Sequence, residues 1–203
     1  DAIFEDVNND GQLDSKDMKF MGYIRPDKVG GIVNSFKYKG LTVRVVMDWA
    51  MGHVIDNGFK GQIMGSSRNN NNAIKDAMTN SWQSANDGTK YPKYTVQSDY
   101  DYQYRNHMRW DNQIGSSESG STNNSLYFSK GDYLAFREVS LSYMLPSTWV
   151  RKIRLSGVEV FAGAYNIGYI KKYDGMFPEI YTGVDYGVYP RPRQYNMGVK
   201  INF

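Results

Sequence analysis

Alternation of apolar and polar residues is the clearest pattern in the chain. In the segment Leu41–Met51 an apolar side chain occupies every odd position, and residues 195–203 repeat the pattern with polar residues or glycine between. Successive side chains of a strand point to opposite faces, so each segment predicts a strand with one apolar and one polar face. Arg44 and Asp48 fall on the polar face of the first segment, away from any apolar environment.

Five segments carry this strand pattern: residues 32–39, 41–51, 133–145, 157–169 and 195–203. The connections between them are short, long, short and long, and the first is a tight turn at Lys39 and Gly40. Short turns at one end and long loops at the other are typical of outer-membrane barrels, whereas a β-sandwich predicts no such asymmetry. The long polar stretch 52–130 is expected to carry short helices, and 73–82 is the strongest candidate.

Composition refines this picture. No apolar run is long enough for a transmembrane helix, but membrane-spanning strands escape that test because half of their residues face the lumen. Cysteine is absent, which removes disulfides and thiolate metal sites. The net charge is only +3 without a basic cluster, which argues against a nucleic-acid partner. No signal peptide opens the chain, so an exported barrel of this sequence is expected to be a fragment of a larger protein.

An acidic segment, residues 6–17, has the spacing of a calcium-binding loop, with Gly11 at the sharp turn. The candidate ligands are Asp6, Asn8, Asp10, Gln12 through its backbone carbonyl, Asp14 and Asp17. Asp17 stands where such loops usually carry Glu, and the residues before Asp6 are too few for an entering helix. A cluster of turn-forming residues is the alternative interpretation. The number of matching places favours a structural calcium ion.

Residues for catalysis are not grouped in any recognisable pattern. His53 and His107 are isolated, and no phosphate loop or zinc spacing occurs, so an enzyme is not expected. A series of aromatic residues in the long polar stretch could stack on a substrate or pack within its own loop. The candidates for substrate contact are Trp82, Tyr91, Tyr94, Tyr102 and Trp110.

Taken together, six segments resemble a known family. They are DVNNDGQLDSKD at 6–17, FKYKGLTVRVVMDWAMG at 36–52, SWQSANDGTKYPKY at 81–94, KGDYLAFREVSLSYMLP at 130–146, VEVFAGAYNIGYIKKYDGMFPE at 158–179 and YPRPRQYNMGVKINF at 189–203. In this order they are similar to the C-terminal part of the SusC/RagA-like TonB-dependent outer-membrane transporters of Bacteroidota. The resemblance spans nearly the whole chain.

The resemblance implies an all-β fold: the C-terminal strands of a large, 22-stranded antiparallel transmembrane β-barrel with long extracellular loops. Residues 1–29 would form an extracellular segment with the calcium loop, residues 30–203 would form barrel strands and loops, and the plug domain would lie outside the chain. A location in the outer membrane follows. The DxNxDG-type loop recurs in the family, which favours an extracellular calcium site.

The resemblance also implies import of oligosaccharides or peptides, with a SusD-like lipoprotein as lid. Further partners would be the remainder of the same barrel and the TonB–ExbB–ExbD complex, which would act through the missing N-terminal part. The alternative from a different class is a soluble or surface calcium-binding β-domain that acts as an adhesin or binding module. The substrate cannot be read from these residues, because loops, lid and the rest of the barrel would set it together.

Overall fold

Five long strands form one antiparallel sheet in this computed structural model, which describes residues 5–12, 15–64, 75–85, 87–89, 91, 93 and 125–203. The strands of the chain are β1 (Lys28–Tyr38), β2 (Leu41–Met51), β3 (Val54–Asp56), β4 (Phe128–Lys130), β5 (Tyr133–Met144), β6 (Gly157–Lys171) and β7 (Gln194–Asn202). The order in the large sheet is β1-β2-β5-β6-β7, while β3 and β4 pair with each other. The large sheet is open in the described residues, with β1 and β7 at its edges.

Helices are short. They are α1 (Gly58–Met64), α2 (Lys75–Thr79) and α3 (Ser147–Val150), with 3-10 turns at Ser15–Asp17, Ser125–Tyr127 and Arg151–Ile153. The helix expected in 73–82 is present as the shorter α2. Within the described ranges, no helix has the length and apolar character needed to cross a membrane.

All five predicted strands are confirmed, and the largest difference is at the start of β1. This strand begins at Lys28 rather than at residue 32, because Gly30 and Gly31 interrupt the apolar pattern without interrupting the backbone pairing. Gly30 lies opposite Trp49, and a Cβ at Gly30 would come within 2.4 Å of the indole ring. The missing side chain therefore makes room for the Trp49 ring across the sheet.

The register of the ladders gathers the apolar side chains on one face. Ile32 lies opposite Met47, and Val43 lies opposite Leu141. Residues directly opposite each other in an antiparallel pair share a face, so alternation carries the same sidedness across neighbouring strands. We call the two sides the apolar face and the polar face.

The described residues divide into two compact units. The first consists of Asp1–Ile24, Val54–Lys130 and Glu179–Val188, and the second of Arg25–His53, Gly131–Pro178 and Tyr189–Phe203, which holds the large sheet. In the first unit, Ile55 of β3 and Tyr127 are fully buried. The strands β3 and β4 are too short for periodicity to reveal them in the sequence.

The turn between β1 and β2 has the geometry that the right-handed twist of a two-stranded hairpin favours. Both of its central residues have positive φ, 45° at Lys39 and 86° at Gly40, as in a type I′ turn. A Cβ at Gly40 would also lie 2.7 Å from the carbonyl oxygen of Met144. Glycine is therefore required there both by backbone conformation and by space.

We predict that Gly40→Ala lowers the free energy of unfolding of the full-length protein by about 1–3 kcal/mol, because the substitution strains the backbone and crowds Met144. Equilibrium urea unfolding followed by tryptophan fluorescence would measure this. Lys39→Asn is the matched control at the neighbouring position: Asn tolerates positive φ, so stability should be retained or increased. Equal losses in both variants would contradict the assignment.

Candidate functional site

Charged side chains on the polar face form two ion pairs between β2 and β5. Arg137 binds the Asp48 carboxylate twice, with Nη2 donating to Oδ2 over 2.7 Å and Nε donating to Oδ1. Arg44 Nε donates to Oε2 of Glu138 over 3.4 Å. Arg44 and Asp48 thus lie on the face opposite the apolar side chains, as their positions in the alternation predict.

A β-bulge in β5 brings both ionic partners to that face. Val46 pairs with Glu138 and the next residue, Met47, pairs with Phe136, so Arg137 is an extra residue in the ladder against β2. Simple alternation would send the adjacent Arg137 and Glu138 to opposite faces, whereas a bulge re-aims one of them. The bulge therefore keeps two consecutive charges away from the apolar face.

Aromatic side chains extend the polar face toward the end from which the long connections leave. The ring centroids of Tyr133 and Tyr169 are 5.9 Å apart, and those of Tyr169 and Phe177 are 5.8 Å apart, both edge to face. The Tyr169 hydroxyl accepts a hydrogen bond of 3.2 Å from Nη1 of Arg137. Arg137 consequently joins the ion pair to the aromatic cluster.

Most of the apolar face is uncovered in the described part of the chain. Leu141 at its centre is 48% exposed, and Val160 is 44% exposed. Other exposed members of this face are Ile32, Phe36, Tyr38, Val139, Tyr143, Ile170, Tyr195, Met197, Val199 and Ile201. Soluble monomers rarely expose a continuous apolar surface of this extent. The face therefore needs an apolar environment or a partner.

The predicted cation loop is wound around the carboxylate of Asp6. Its Oδ2 accepts a hydrogen bond of 2.8 Å from the backbone of Gly11, which has the positive φ of 79° expected for the sharp turn. Asp10 Oδ1 accepts from the backbone of Gln12, and Asp17 Oδ1 accepts from Val7, both over 2.9 Å. The side-chain oxygens thus turn inward onto the backbone of the loop.

The donor set of this loop is suited in kind to a hard cation. Carboxylate and amide oxygens are the ligands that calcium prefers, and an oxygen that accepts one N–H has a second lone pair. Asn8 Oδ1 accepts a hydrogen bond of 2.9 Å from the backbone N–H of Asp10, and Asn8 Nδ2 donates to Oδ2 of Asp10. No group of three or more acidic or histidine side chains is close enough to hold a metal among the described residues, and Asp14 lies outside them.

Two of the five candidate residues for substrate contact lie in the described residues. Trp82 is 38% exposed, whereas Tyr91 is buried and its hydroxyl donates to Oδ2 of Asp76 over 2.7 Å. A hydroxyl that already bonds within the fold contributes to packing of its segment. Tyr94, Tyr102 and Trp110 lie outside the described residues, as does His107.

His53 is buried where β2 ends, beside the start of β5. Its carbonyl accepts a hydrogen bond of 2.8 Å from the backbone of Gly131, and its imidazole occupies the space that a Cβ at Gly131 would need. Burial lowers the pKa of His53, and the negative charge of Asp132 partly opposes this shift. The Nδ1 atom is buried, and none of the residues that the structure describes forms a hydrogen bond with it.

The neighbouring Asp132 is held as a carboxylate. Burial would raise its pKa, but hydrogen bonds from the Gly52 backbone at 2.8 Å and from Lys172 Nζ at 3.1 Å outweigh burial and lower the pKa. The three segments that meet at this end of the sheet are thereby tied together by backbone and ionic contacts.

Comparison with known proteins places this geometry in context. No protein-family model matches the chain. TonB-dependent receptor P3 of Formosa agariphila is 25% identical over 213 residues, covering 99% of this chain and 19% of the receptor. TonB-dependent receptor SusC of Bacteroides thetaiotaomicron is 26% identical over 91 residues, covering 44% of this chain and 9% of SusC.

Solved structures agree at the level of the fold. The structure of the RagAB peptide transporter matches with a TM-score of 0.68 at 20% identity, over 96% of this chain and 20% of that chain. The RagAB peptide importer in the closed-closed state matches with a TM-score of 0.62 at 19% identity, over 96% of this chain and 20% of that chain.

The chain is SusC/RagA-like. The resemblance indicated by its motifs is thereby confirmed, and the antiparallel sheet matches the fold of these TonB-dependent transporters. This SusC/RagA-like chain spans about a fifth of the length of the curated receptors that it matches over its full length. Those relatives are named receptors and transporters rather than enzymes.

The alternation in the sequence predicted one residue of each ion pair on the polar face of the large sheet. It placed Arg44 and Asp48 there but did not identify Glu138 and Arg137 as their partners, because pairing depends on the register between distant strands. The signal available was the adjacent Arg and Glu inside an otherwise alternating strand. Two consecutive charges in such a strand indicate a bulge.

We predict unequal coupling energies for the two ion pairs. Arg137 and Asp48 share two hydrogen bonds and are the less exposed pair, so a double-mutant cycle with alanine should give about 1–3 kcal/mol. The Arg44–Glu138 pair has one long contact and a more exposed Arg, so its coupling should stay below about 1 kcal/mol. Urea unfolding of the four variants of each cycle provides the comparison, and equal couplings would contradict the geometry.

We also predict that acidification weakens the hydrogen bond between the Gly131 backbone N–H and the His53 carbonyl. A lowered pKa means that the folded state holds the imidazole proton less tightly than the unfolded chain does. The contribution of His53 to the stability of this region should therefore be fully present above the ordinary pKa of about 6.5, and it should fall as the pH drops below that value. Hydrogen exchange at Gly131, corrected for intrinsic rates, should lose protection between about pH 7 and pH 5. His53→Gln should remove this pH dependence; protection that is constant in the unmodified protein would refute it.

Proposed function

We propose that this chain forms part of the wall of an outer-membrane barrel that imports oligosaccharides or peptides. The observation that carries the proposal is the sheet with two unlike faces, one apolar and exposed, the other ion-paired around Arg137 and Asp48. A barrel strand in a membrane needs lipid-compatible residues outside and tolerates polar residues toward the lumen. Backbone pairing across neighbouring strands satisfies the polar groups that lipid cannot.

The connections support a barrel with one loop end and one turn end. The turns between β1 and β2 and between β5 and β6 are short, whereas β2–β5 and β6–β7 are joined by long connections. We assign the long connections to the outside of the cell and the short turns to the periplasm. The open edges β1 and β7 would pair with further strands, in a barrel for which the resemblance suggests 22 strands.

The resemblance to SusC and to the RagAB peptide transporter supports the class of cargo and the partners. We propose that a SusD-like lipoprotein captures oligosaccharide or peptide as a lid over the barrel. The TonB–ExbB–ExbD complex would then act through the N-terminal part of the protein to remodel a plug domain and release the cargo. The aromatic residues Trp82, Tyr91, Tyr94, Tyr102 and Trp110 remain candidates for cargo contact, with Trp82 the more accessible of the two described ones.

The lumen-facing side chains would keep the wall rigid while cargo passes. Two cations and two anions are paired with each other across β2 and β5, so this region presents hydrogen-bonding atoms without a net charge. A soluble adhesin or binding module, the alternative expectation, would leave the apolar face in water. The extent of that face counts against the alternative.

A transport assay on cells tests the proposed function. Deletion of the gene for the full-length protein should abolish uptake of a fluorescent pool of either oligosaccharides or oligopeptides, and the unaffected pool serves as the internal control. The wild-type gene should restore uptake in cells with TonB but not in cells lacking TonB. Normal uptake of both pools in the deletion strain would overturn the proposal.

We further propose a structural calcium ion in the loop 6–17, held by Asp6, Asn8, Asp10, Gln12, Asp14 and Asp17. The inward side-chain oxygens and the positive φ of Gly11 support it. Bound calcium would neutralise carboxylates that otherwise repel one another and would stiffen the segment. Lys16 lies 3.8 Å from Oδ2 of Asp10, so one cationic side chain would be displaced on binding.

The calcium proposal predicts that Asp10→Ala weakens binding by at least about tenfold, since loss of one charged ligand changes affinity by orders of magnitude across such loops. Isothermal titration of the full-length protein with CaCl₂ would measure the affinity. Glu5→Ala is the matched control, because Glu5 is a neighbouring acid that pairs with Lys19 at 2.6 Å and lies outside the loop. Equal affinities in the Asp10 variant and the unmodified protein would rule out this site.

A further inference from the structure

The connection between β5 and β6 is unlike the tight turn between β1 and β2. It forms a helical turn, α3 followed by the 3-10 turn Arg151–Ile153, which carries two large exposed apolar side chains. Trp149 is 63% exposed and Ile153 is 65% exposed. Both side chains belong to this one short connection, which therefore exposes a substantial apolar surface.

The charges of this connection all have one sign. Arg151, Lys152 and Arg154 are exposed, and residues 145–158 contain no Asp or Glu. Exposed apolar side chains beside several cations form the pattern that binds the headgroup region of a phospholipid leaflet. Tryptophan in particular is enriched at that depth, because its ring is apolar and its N–H can reach water.

Burial at the start of β6 shows toward which face the helical turn folds. Val158 belongs to the apolar face, because it lies opposite Ile201 and two residues before Val160 in the same strand. Val160 is exposed, yet Val158 is only 7% exposed, and Val150 of α3 is 2% exposed. Since α3 packs against β6, the burial of both valines indicates that the turn folds over the apolar face.

The apolar face at this end of the sheet carries further aromatic residues. Tyr38 ends β1, and Tyr143 lies opposite Leu41 one residue before β5 ends. Both are exposed. Tyrosine rings at the end of an apolar band mark the boundary between hydrocarbon and headgroups in membrane barrels. The helical turn therefore lies in line with this boundary.

We propose that the β5–β6 helical turn is an anchor in the phospholipid leaflet at the turn end of the barrel. Trp149 and Ile153 insert between the lipids, and Arg151, Lys152 and Arg154 bind the headgroup phosphates. This inference rests on the proposed membrane barrel and adds a specific lipid contact to it. The contact fixes the height of the wall relative to the bilayer on the periplasmic side.

Lipid-depth measurements on the full-length protein in nanodiscs test the anchor. A fluorophore on Ile153→Cys should be quenched most by lipids spin-labelled near the headgroup, at a depth of about 5–10 Å. The same fluorophore on Leu141→Cys should be quenched most by lipids labelled deep in the acyl chain. The chain itself has no cysteine, and any cysteine in the rest of the protein is replaced first. Trp149→Cys provides a second position in the same connection.

The outcomes separate the anchor from the barrel. Quenching at Leu141 with no quenching at 153 and 149 overturns the anchor while the barrel stands. No lipid quenching at any of the three positions overturns the proposed barrel as well. A fluorophore at 153 that is shielded from water yet not quenched by lipid indicates cover by protein, which also overturns the anchor.

The cations are tested with spin-labelled phosphatidylglycerol and phosphatidylcholine. The label on residue 153 should be quenched more strongly by the anionic lipid, and each cation near the surface should favour that lipid by about fivefold. The triple variant Arg151→Gln, Lys152→Gln, Arg154→Gln should bring the two lipids to equal quenching. Lys39→Gln, which removes a cation from the other turn, should leave the preference unchanged. A preference that survives the triple substitution overturns the assignment of these cations to lipid phosphates.

Discussion

Strict sidedness of one antiparallel sheet is the constraint on which the rest of this structure depends. Each strand places alternate residues on opposite faces, and the ladders transmit that choice from β1 to β7. Once Val43, Leu141 and their neighbours occupy the apolar face, the charges within the middle of these strands must be directed to the other face. The bulge at Arg137 follows from this requirement, because it turns two consecutive charged residues to the same side.

Charge pairing on the polar face is the second consequence. Arg137 satisfies Asp48 and also donates to Tyr169, so one guanidinium serves an anion and an aromatic cluster. The polar face made in this way carries little unpaired charge between β2 and β5. If it lines the lumen of the proposed barrel, such a surface would suit cargo that slides past rather than remains bound. The loop proposed to bind calcium belongs to the other compact unit, and its Asp6, Asp10 and Asp17 side chains accept hydrogen bonds from the backbone of the same loop.

The long strands could be predicted because their alternation extends over many residues. In β2 every odd position is apolar, and the bounds of the strand match the prediction. The start of β1 could not be predicted, since Gly30 and Gly31 remove the pattern while the backbone still pairs. For β3 and β4, three residues each give too few alternations to identify a strand.

The candidate sites show the same division between local and long-range information. The turn around Asp6 could be predicted from spacing, because its atoms come from one short segment, whereas calcium binding there stays a proposal. The pairing of Arg137 with Asp48 spans 89 residues and requires the register of β2 against β5, which alternation leaves free. The fold of the β5–β6 turn over Val158 likewise depends on tertiary packing rather than on sequence pattern.

The difference in environment between the two faces can be measured with one pair of neighbouring substitutions. Leu141 and Ser142 are adjacent in β5 and point to opposite sides of the sheet. If the apolar face contacts lipid, Leu141→Arg should destabilise the full-length barrel folded into lipid vesicles by about 2–4 kcal/mol, whereas Ser142→Arg should change its stability far less. Equal effects of the two substitutions, or a larger effect at Ser142, would contradict a membrane barrel with this sidedness.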